Sequence, residues 1–323
     1  ARMPRRWLEL VTKHRGTITY APNFAYQLVE KRVRDADLAS LDLSSLRVAG
    51  CGAEPIRARS LLDFAKRFAP CGFDERALLP SYGMAESCLA ITFHPRGTPM
   101  IVDRVERTKM QDGIAAPAGS APAGDPDVLE IVSCGVAFPE HDVRVVDDRG
   151  RELPERRVGE IVTRGPSVTA GYFRNEEATR AAIRDGWLHT GDLGYHAGGN
   201  LYVCGRVKDL IIIKGANHHP QDLEWAIGEL EGVRRGNVCA FSVVRDGTEE
   251  LVILAEAARA DAPRLRREIA KKIYADFGLQ VADVVISPVG TLPKTSSGKH
   301  QRHKTRLLYE RGELEKHAVE IDG

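Results

Sequence analysis

Five short stretches carry more polar and glycine residues than packing alone requires. Gly50-Cys51-Gly52-Ala53-Glu54-Pro55 follows a strand signal, and its glycines let backbone approach a flat ligand closely. Ser81-Tyr82-Gly83-Met84-Ala85-Glu86 sets an aromatic ring four residues before a carboxylate. Trp187-Leu188-His189-Thr190-Gly191-Asp192 ends in an acid beside a glycine. Gly205-Arg206-Val207-Lys208-Asp209 puts an arginine ahead of an apolar strand, and Pro293 to Lys299 holds two ammonium groups, Lys294 and Lys299, in a polar loop.

Simpler chemistries do not fit. A Walker loop needs five positions from its first Gly to Gly-Lys and a Ser or Thr after the lysine; Gly290 and Gly298 are eight apart and His300 follows Lys299. No G-x-S-x-G elbow occurs. His218 and His219 are adjacent and point different ways, which does not make a zinc pair.

The elements that must position these stretches read as mixed α and β. Leu46 to Gly50 is a strand stopping at a glycine turn, and Ile56 to Phe68 has helical apolar spacing, so residues up to about 93 form an α/β unit. Such units hold ligands at the carboxyl ends of their strands. Residues 94–128 contain five prolines and four glycines, a density at which no helix is expected. That stretch reads as a functional insertion or a linker. Residues 129 to about 196 read as a small β-rich subdomain. The turn at Gly198 and Gly199 is the expected domain boundary, dividing 1–197 from 198–323. Beyond it lies an α+β pattern: strands at 210–213, 238–244, 251–255 and 284–286, helices at 220–230 and from a cap at Asp261 to Phe277, then a terminal helix.

The 323 residues suit two domains. The balance of 46 basic and 45 acidic residues argues against a nucleic-acid partner. Hydrophobic residues at 43% are enough for a core. The six cysteines show no CxxC spacing and read as reduced residues of a cytoplasmic protein. No apolar run is long enough for a membrane span.

In this order the stretches resemble the adenylate-forming superfamily, which activates carboxylic acids with ATP. Tyr82 to Glu86 matches its adenine and magnesium motif, His189 to Asp192 its ribose motif, Gly205 to Asp209 the motif after its hinge, and Pro293 to Lys299 its catalytic-lysine loop. Ala21-Pro22-Asn23-Phe24-Ala25-Tyr26, Ser133-Cys134-Gly135, Asn217 to Glu224 and the insertion at 94–128 are similar to the fatty acyl-AMP ligases within it. The likeness covers the whole chain but only the later half of that enzyme. The upstream phosphate-cradling loop has no counterpart here, so a fragment, inactive by itself and probed best together with its upstream half, is the expectation.

The resemblance implies a fold class: an α/β partial large domain with a β-rich subdomain, then a small mobile α+β domain. It implies ATP and Mg as cofactors. Lys299 would contact the α-phosphate and the substrate carboxylate as the catalytic residue. Asp192 and Arg206 would hold the ribose, Tyr82 would stack on adenine, and Gly52, Ala53, Glu54, Ser81, Gly83 and Met84 would complete the nucleotide site. Glu86 would hold magnesium, Phe24 and Tyr26 would border the acyl pocket, and Gly198 and Gly199 would act as the hinge. The product would be an acyl-adenylate, and the acyl group would pass to the phosphopantetheine thiol of an acyl carrier protein or polyketide synthase carrier domain. A monomer is expected. Ala216 and His219 depart from the Arg and Tyr common in the subfamily. The rival readings are an acyl-CoA ligase of the same fold and a non-catalytic acyl- or partner-binding relative. An insertion packed on the large domain favours the acyl-AMP ligase, and a disordered tail favours the CoA ligase.

Overall fold

The computed structural model describes residues 3–122, 124–245, 247–258, 261–295 and 299–314. It divides into two compact units, Ala1–Cys204 and Gly205–Gly323. The division falls beyond the Gly198-Gly199 turn, which joins the paired strands Trp187–Ala197 and Asn200–Arg206 as a tight hairpin. The expected boundary at 197/198 therefore lies inside a hydrogen-bonded ladder of the first unit. Both glycines hold positive φ, as a tight hairpin turn requires.

In the first unit, strands Ile18–Ala21, Val48–Cys51 and Leu78–Tyr82 run parallel, and Thr92–Phe93 and Val136–Ala137 extend the sheet antiparallel. Leu78 to Tyr82 is buried at all five positions, as a strand covered on both faces must be. Helices Asn23–Arg32 and Ala58–Phe68 pack on each other and share one core with Ala49, Cys51 and Leu78. Leu61, Phe64, Ala65 and Phe68 follow helical spacing and bury one stripe. Phe64 meets Tyr26 edge-to-face at 5.0 Å, a geometry that adds to the area term. Tyr26 is thus core: it is fully buried, and its hydroxyl donates to the Gly50 carbonyl at 2.9 Å. Phe24, two residues and so about half a turn back on the helix, remains half-exposed.

The described residues of the insertion are folded into regular elements. Val102–Glu106 pairs antiparallel with Val128–Val132, and a helix runs from Arg107 to Gln111. The expectation of no helix fails because the prolines flank this part: none lies between Pro99 and Pro117. Met110 is buried with Val105, Ala115, Tyr195 and Tyr202. Asp103 accepts from Tyr195 Oη at 2.8 Å and pairs with Arg156 at 3.1 Å. The insertion is packed against the β-rich sheet formed by Asp142–Val146, Gly159–Arg164, Trp187–Ala197 and Asn200–Arg206.

In the second unit, Val233–Arg245 pairs antiparallel with Thr248–Ala257, which pairs parallel with Val281–Ser287. Alternate residues serve two cores. Val238 and Ala240 pack with Leu223, Leu265, Ile269 and Ile273 from helices Pro220–Ile227 and Ala262–Phe277. Cys239, Phe241 and Val243 face the other way, against Leu308 and Tyr309 of helix Arg302–Glu310. Asp261 does not cap its helix through its side chain; its backbone is already helical and its carboxylate pairs with Arg264 at 3.5 Å. No helix among the described residues is long and apolar enough to cross a membrane. Five of the cysteines are buried and Cys88 is exposed.

Candidate nucleotide site

The three parallel strands end in Ala21, Cys51 and Tyr82, so the segments beginning at Pro22, Gly52 and Gly83 emerge from one edge of the sheet. This is the edge where open α/β sheets bind ligands. The segments are tied together. Glu54 Oε1 accepts from the Phe24 amide at 2.8 Å, and Asn23 Oδ1 accepts from the Arg57 amide at 3.2 Å. Ser81 Oγ donates to the Cys51 carbonyl at 3.3 Å and hydrogen-bonds the Tyr20 hydroxyl. Ala53 holds φ +71°, a conformation an alanine adopts only under constraint. A Cβ at Gly52 would lie 2.9 Å from Ser81 O, and one at Gly83 would lie 1.8 Å from Leu89 O. Both positions require glycine because backbone passes so close.

Asp192 is delivered by a different device. The pairing of Trp187–Ala197 with Gly159–Arg164 is regular at His189 against Val162 and resumes at Leu193 against Glu160. Four steps on one strand thus run against two on the other, and Thr190, Gly191 and Asp192 bulge out. Gly191 takes φ +70°. Glu160 braces the bulge: Oε1 accepts from the Gly191 amide at 3.1 Å and Oε2 from His189 Nδ1 at 2.8 Å. Thr190 Oγ1 donates to Ile161 O at 2.7 Å and accepts from the Asp192 amide at 3.1 Å. Bulges re-aim side chains in this way beside active sites.

The bulge brings Asp192 against Tyr82, 110 positions away in sequence, whose hydroxyl donates to Asp192 Oδ2 at 2.7 Å. Both side chains are more than nine-tenths buried. The ring read as an adenine platform is therefore also the clamp on the carboxylate read as the ribose ligand. Met84 is partly buried beside this pair's core, with Ile91 and Ile161. Glu86 lies on a short turn, half-buried, its Oε1 accepting from Tyr172 Oη at 2.8 Å and its carbonyl from the Thr169 amide at 2.7 Å.

The sequence reading missed Glu160, Thr169 and Tyr172. Gly171-Tyr172 was the available signal, since a Cβ at Gly171 would lie 2.5 Å from Thr179 and only glycine permits that turn. A single half-buried carboxylate suits magnesium, which takes one or two protein oxygens and completes its shell with phosphates and water. Among the described residues no group of three or more His, Cys, Asp or Glu could form an all-protein cage. Glu86 is thus compatible with a cation that arrives with a nucleotide.

The second unit carries Arg206 and Lys299. Arg206 is exposed and directly precedes the turn Val207–Asp209. Lys299 is exposed at the end of a loop closed at its base by a Lys294–His300 bridge and by the Gln301 amide on Pro293 O at 2.9 Å. Its own amide donates to Thr295 Oγ1 at 3.1 Å. Gly298, expected to let the backbone approach a ligand, lies outside the described residues. Arg302, also missed, anchors the following helix. It is partly buried and donates to Ala240 O and Asp209 Oδ2 at 2.8 Å each and to Glu224 Oε1 at 2.5 Å. Burial pushes the Glu224 carboxyl up, and Arg302 pulls it back. His219 is buried, and its Nδ1 has no hydrogen-bond partner. Desolvation, with the neighbouring His218, lowers its pKa to about 4. Burial, with Lys294 and Arg302, does the same to His300.

A parallel sheet edge joined to a carboxylate on a bulged strand, followed by an α+β unit with an exposed lysine loop, is the architecture of the adenylate-forming enzymes. The AMP-binding enzyme family matches residues 1–173, and the AMP domain of the Disco-interacting protein 2-like family matches 208–319. The chain belongs to the AMP-binding enzyme family. A putative acyl-CoA synthetase of Caulobacter vibrioides is 41% identical, over 95% of this chain and 54% of its own length. The long-chain-fatty-acid–AMP ligase FadD26 of Mycobacterium marinum is 36% identical, over 93% and 54%. A structure from a study of fatty acyl-adenylate ligases of E. coli and L. pneumophila superposes with a TM-score of 0.89 at 38% identity, over 96% of this chain and 56% of that one. The chain spans about half the length of the curated relatives it matches.

Proposed function

We propose that this chain supplies the later half of an enzyme that adenylates a fatty acid. A carboxylate oxygen attacks the α-phosphorus of ATP, pyrophosphate leaves, and an acyl-adenylate forms. A phosphopantetheine thiol then attacks the acyl carbon and AMP leaves. The thiol belongs to an acyl carrier protein or a polyketide synthase carrier domain. The observation that carries this reading is the bond from Tyr82 to Asp192, which unites the adenine and ribose motifs in one buried pair.

Each group has a task in that chemistry. Asp192 accepts from ribose hydroxyls, with its orientation fixed by Tyr82. Gly52, Ala53 and Glu54 line the base through backbone. Arg206 assists at the ribose. Two anions must meet at the α-phosphate, so a preplaced cation lowers the barrier. Lys299 is that cation, a point charge on a long stem. Glu86 would hold magnesium, which when bound would neutralise phosphate charge. Gly198 and Gly199 are set in a hairpin, so we place the hinge nearer Gly205, where the two units divide. The packed insertion favours an AMP ligase over a CoA ligase, because Asp103, Arg156 and Tyr195 hold it against the sheet. Cytoplasmic residence suits the reduced cysteines.

The test is a hydroxamate-trapping assay in the full-length protein with Lys299→Ala. Loss of acyl-adenylate by orders of magnitude, with ATP affinity kept and carrier loading from preformed acyl-adenylate intact, supports the reading. Equal loss of both half-reactions makes Lys299 a structural residue, and loss of neither returns it to a solvated loop. The chain without its upstream half should trap no fatty acid.

A further inference from the structure

Tyr172 stands outside every motif discussed above, yet its mounting is unusually constrained. Gly171, at φ +147°, turns the chain against Thr179. Thr179 Oγ1 accepts from the Tyr172 amide at 2.8 Å and donates to Asn175 O at 2.8 Å. Asn175 caps the helix Glu176–Ala182 through its side chain, and its amide donates to Tyr172 O at 3.1 Å. Thr169 Oγ1 brackets Gly171 from the other side. The backbone of Tyr172 is thereby fixed to a helix end, and its phenol donates to Glu86 Oε1 at 2.8 Å.

The same segment grips the backbone around Glu86. The Thr169 amide donates to Glu86 O. Ser167 Oγ meets Ser87 Oγ at 2.9 Å and His141 Nε2 at 2.6 Å, while His141 Nδ1 lies 2.8 Å from Pro139 O. A carbonyl only accepts, so Nδ1 carries a proton and donates to Pro139 O. Both main chain and side chain of Glu86 are thus set by residues 167–172.

We propose that Tyr172 is a positioning residue for Glu86: it holds the carboxylate in one orientation by occupying Oε1 and so presets the other oxygen for a divalent cation arriving with nucleotide. The proposal rests on the reading of Glu86 as the magnesium residue. Partners that orient a metal's ligand typically change metal affinity by about 10- to 100-fold when removed. The substitution Tyr172→Phe keeps the half-exposed ring and removes only the donor.

The experiment uses the full-length protein. Mn²⁺ binding in the presence of a non-hydrolysable ATP analogue is followed by electron paramagnetic resonance, and the Mg²⁺ dependence of adenylation is measured beside it. Tyr172→Phe should weaken Mn²⁺ binding by about 10-fold or more and raise half-saturating Mg²⁺ in step, with the rate at saturating Mg²⁺ and the melting temperature unchanged. Tyr172→Leu should behave the same, and Glu86→Gln should lose more. If Tyr172→Phe matches the unaltered protein while Glu86→Gln is impaired, the positioning role is overturned and the metal reading of Glu86 stands. If Glu86→Gln also binds Mn²⁺ normally, the metal reading falls and the proposal with it. A Tyr172→Phe protein with a lowered rate at every Mg²⁺ concentration, but unchanged Mn²⁺ affinity, would likewise overturn it.

Discussion

Replacing Tyr82 by Phe keeps the ring and deletes the hydroxyl that lies 2.7 Å from Asp192 Oδ2. A hydrogen bond to a charged group contributes about 1.5–3 kcal/mol net. Asp192 is 8% exposed, so little water can replace the lost donor. Stability of the first unit should drop by about that amount, a fall in melting temperature of roughly 3–12 °C for a unit of this size. Nucleotide affinity should fall too, because a carboxylate free to rotate must be ordered on binding. The same energy range corresponds to about 10- to 150-fold in binding, with Tyr82→Phe near the lower end and Asp192→Ala higher. Since the hydroxyl acts through the carboxylate, the double substitution should bind ATP no worse than Asp192→Ala alone. Calorimetric titration of the full-length protein with ATP, beside urea denaturation, measures both quantities. Additive losses would mean the two groups touch the nucleotide independently. Unchanged stability and affinity in Tyr82→Phe would mean the bond does not form in solution, and the argument for one united site would fall with it.

Gly83→Ala should destabilise the first unit by roughly 1–3 kcal/mol, because the new methyl would sit 1.8 Å from the Leu89 carbonyl; a denaturation midpoint within error of the parent would refute that close approach. Asp103→Asn should loosen the insertion by removing a charge that serves both Arg156 and Tyr195. In the full-length protein, acyl-CoA formation should then rise while adenylation persists, and an unaltered product ratio separates the insertion from acceptor choice. His219 is held below its ordinary pKa, so the unfolded chain binds the proton first as pH falls. Stability of the second unit should decline between pH 6.5 and about 4, by up to ~1.4 kcal/mol per pH unit for this one group. Comparing the pH dependence of urea midpoints for the parent chain and His219→Gln isolates the effect, and identical slopes would exclude it.

Which parts were legible in sequence follows from how local each signal is. Helix Ala58–Phe68 and helix Ala262–Phe277 announce themselves through apolar spacing, because one face of each meets a core. Asp192, Tyr82, Glu86 and Lys299 are candidates because they lie in short stretches whose residue order carries the resemblance. The contact between Tyr82 and Asp192 was not legible, since it depends on a bulge that neither strand declares alone. The burial of Tyr26 was not legible, because an aromatic residue at a helix start looks the same whether it lines a surface or fills a core; Phe64 and the Gly50 carbonyl decide. Arg302 and Tyr172 act only through partners more than 60 residues distant in sequence. The helix at 107–111 was hidden because the breakers around it were counted with it.

The bulge at Thr190-Gly191-Asp192 has a parity. Its excess over the partner strand is an even number, four steps against two, so the residues before and after it keep the faces they would have in an uninterrupted strand. Removing one residue would throw Tyr195 and the rest of the strand to the opposite face and cost the core its contents. Removing two would restore a regular ladder and leave every inward side chain inward. The carboxylate would vanish from its place beside Tyr82 while the sheet closed over the gap. If Asp192 serves the nucleotide as proposed, a six-base deletion would remove that carboxylate and leave the sheet folded. Relatives that keep the fold but lack activity should carry that two-residue shortening more often than a one-residue loss.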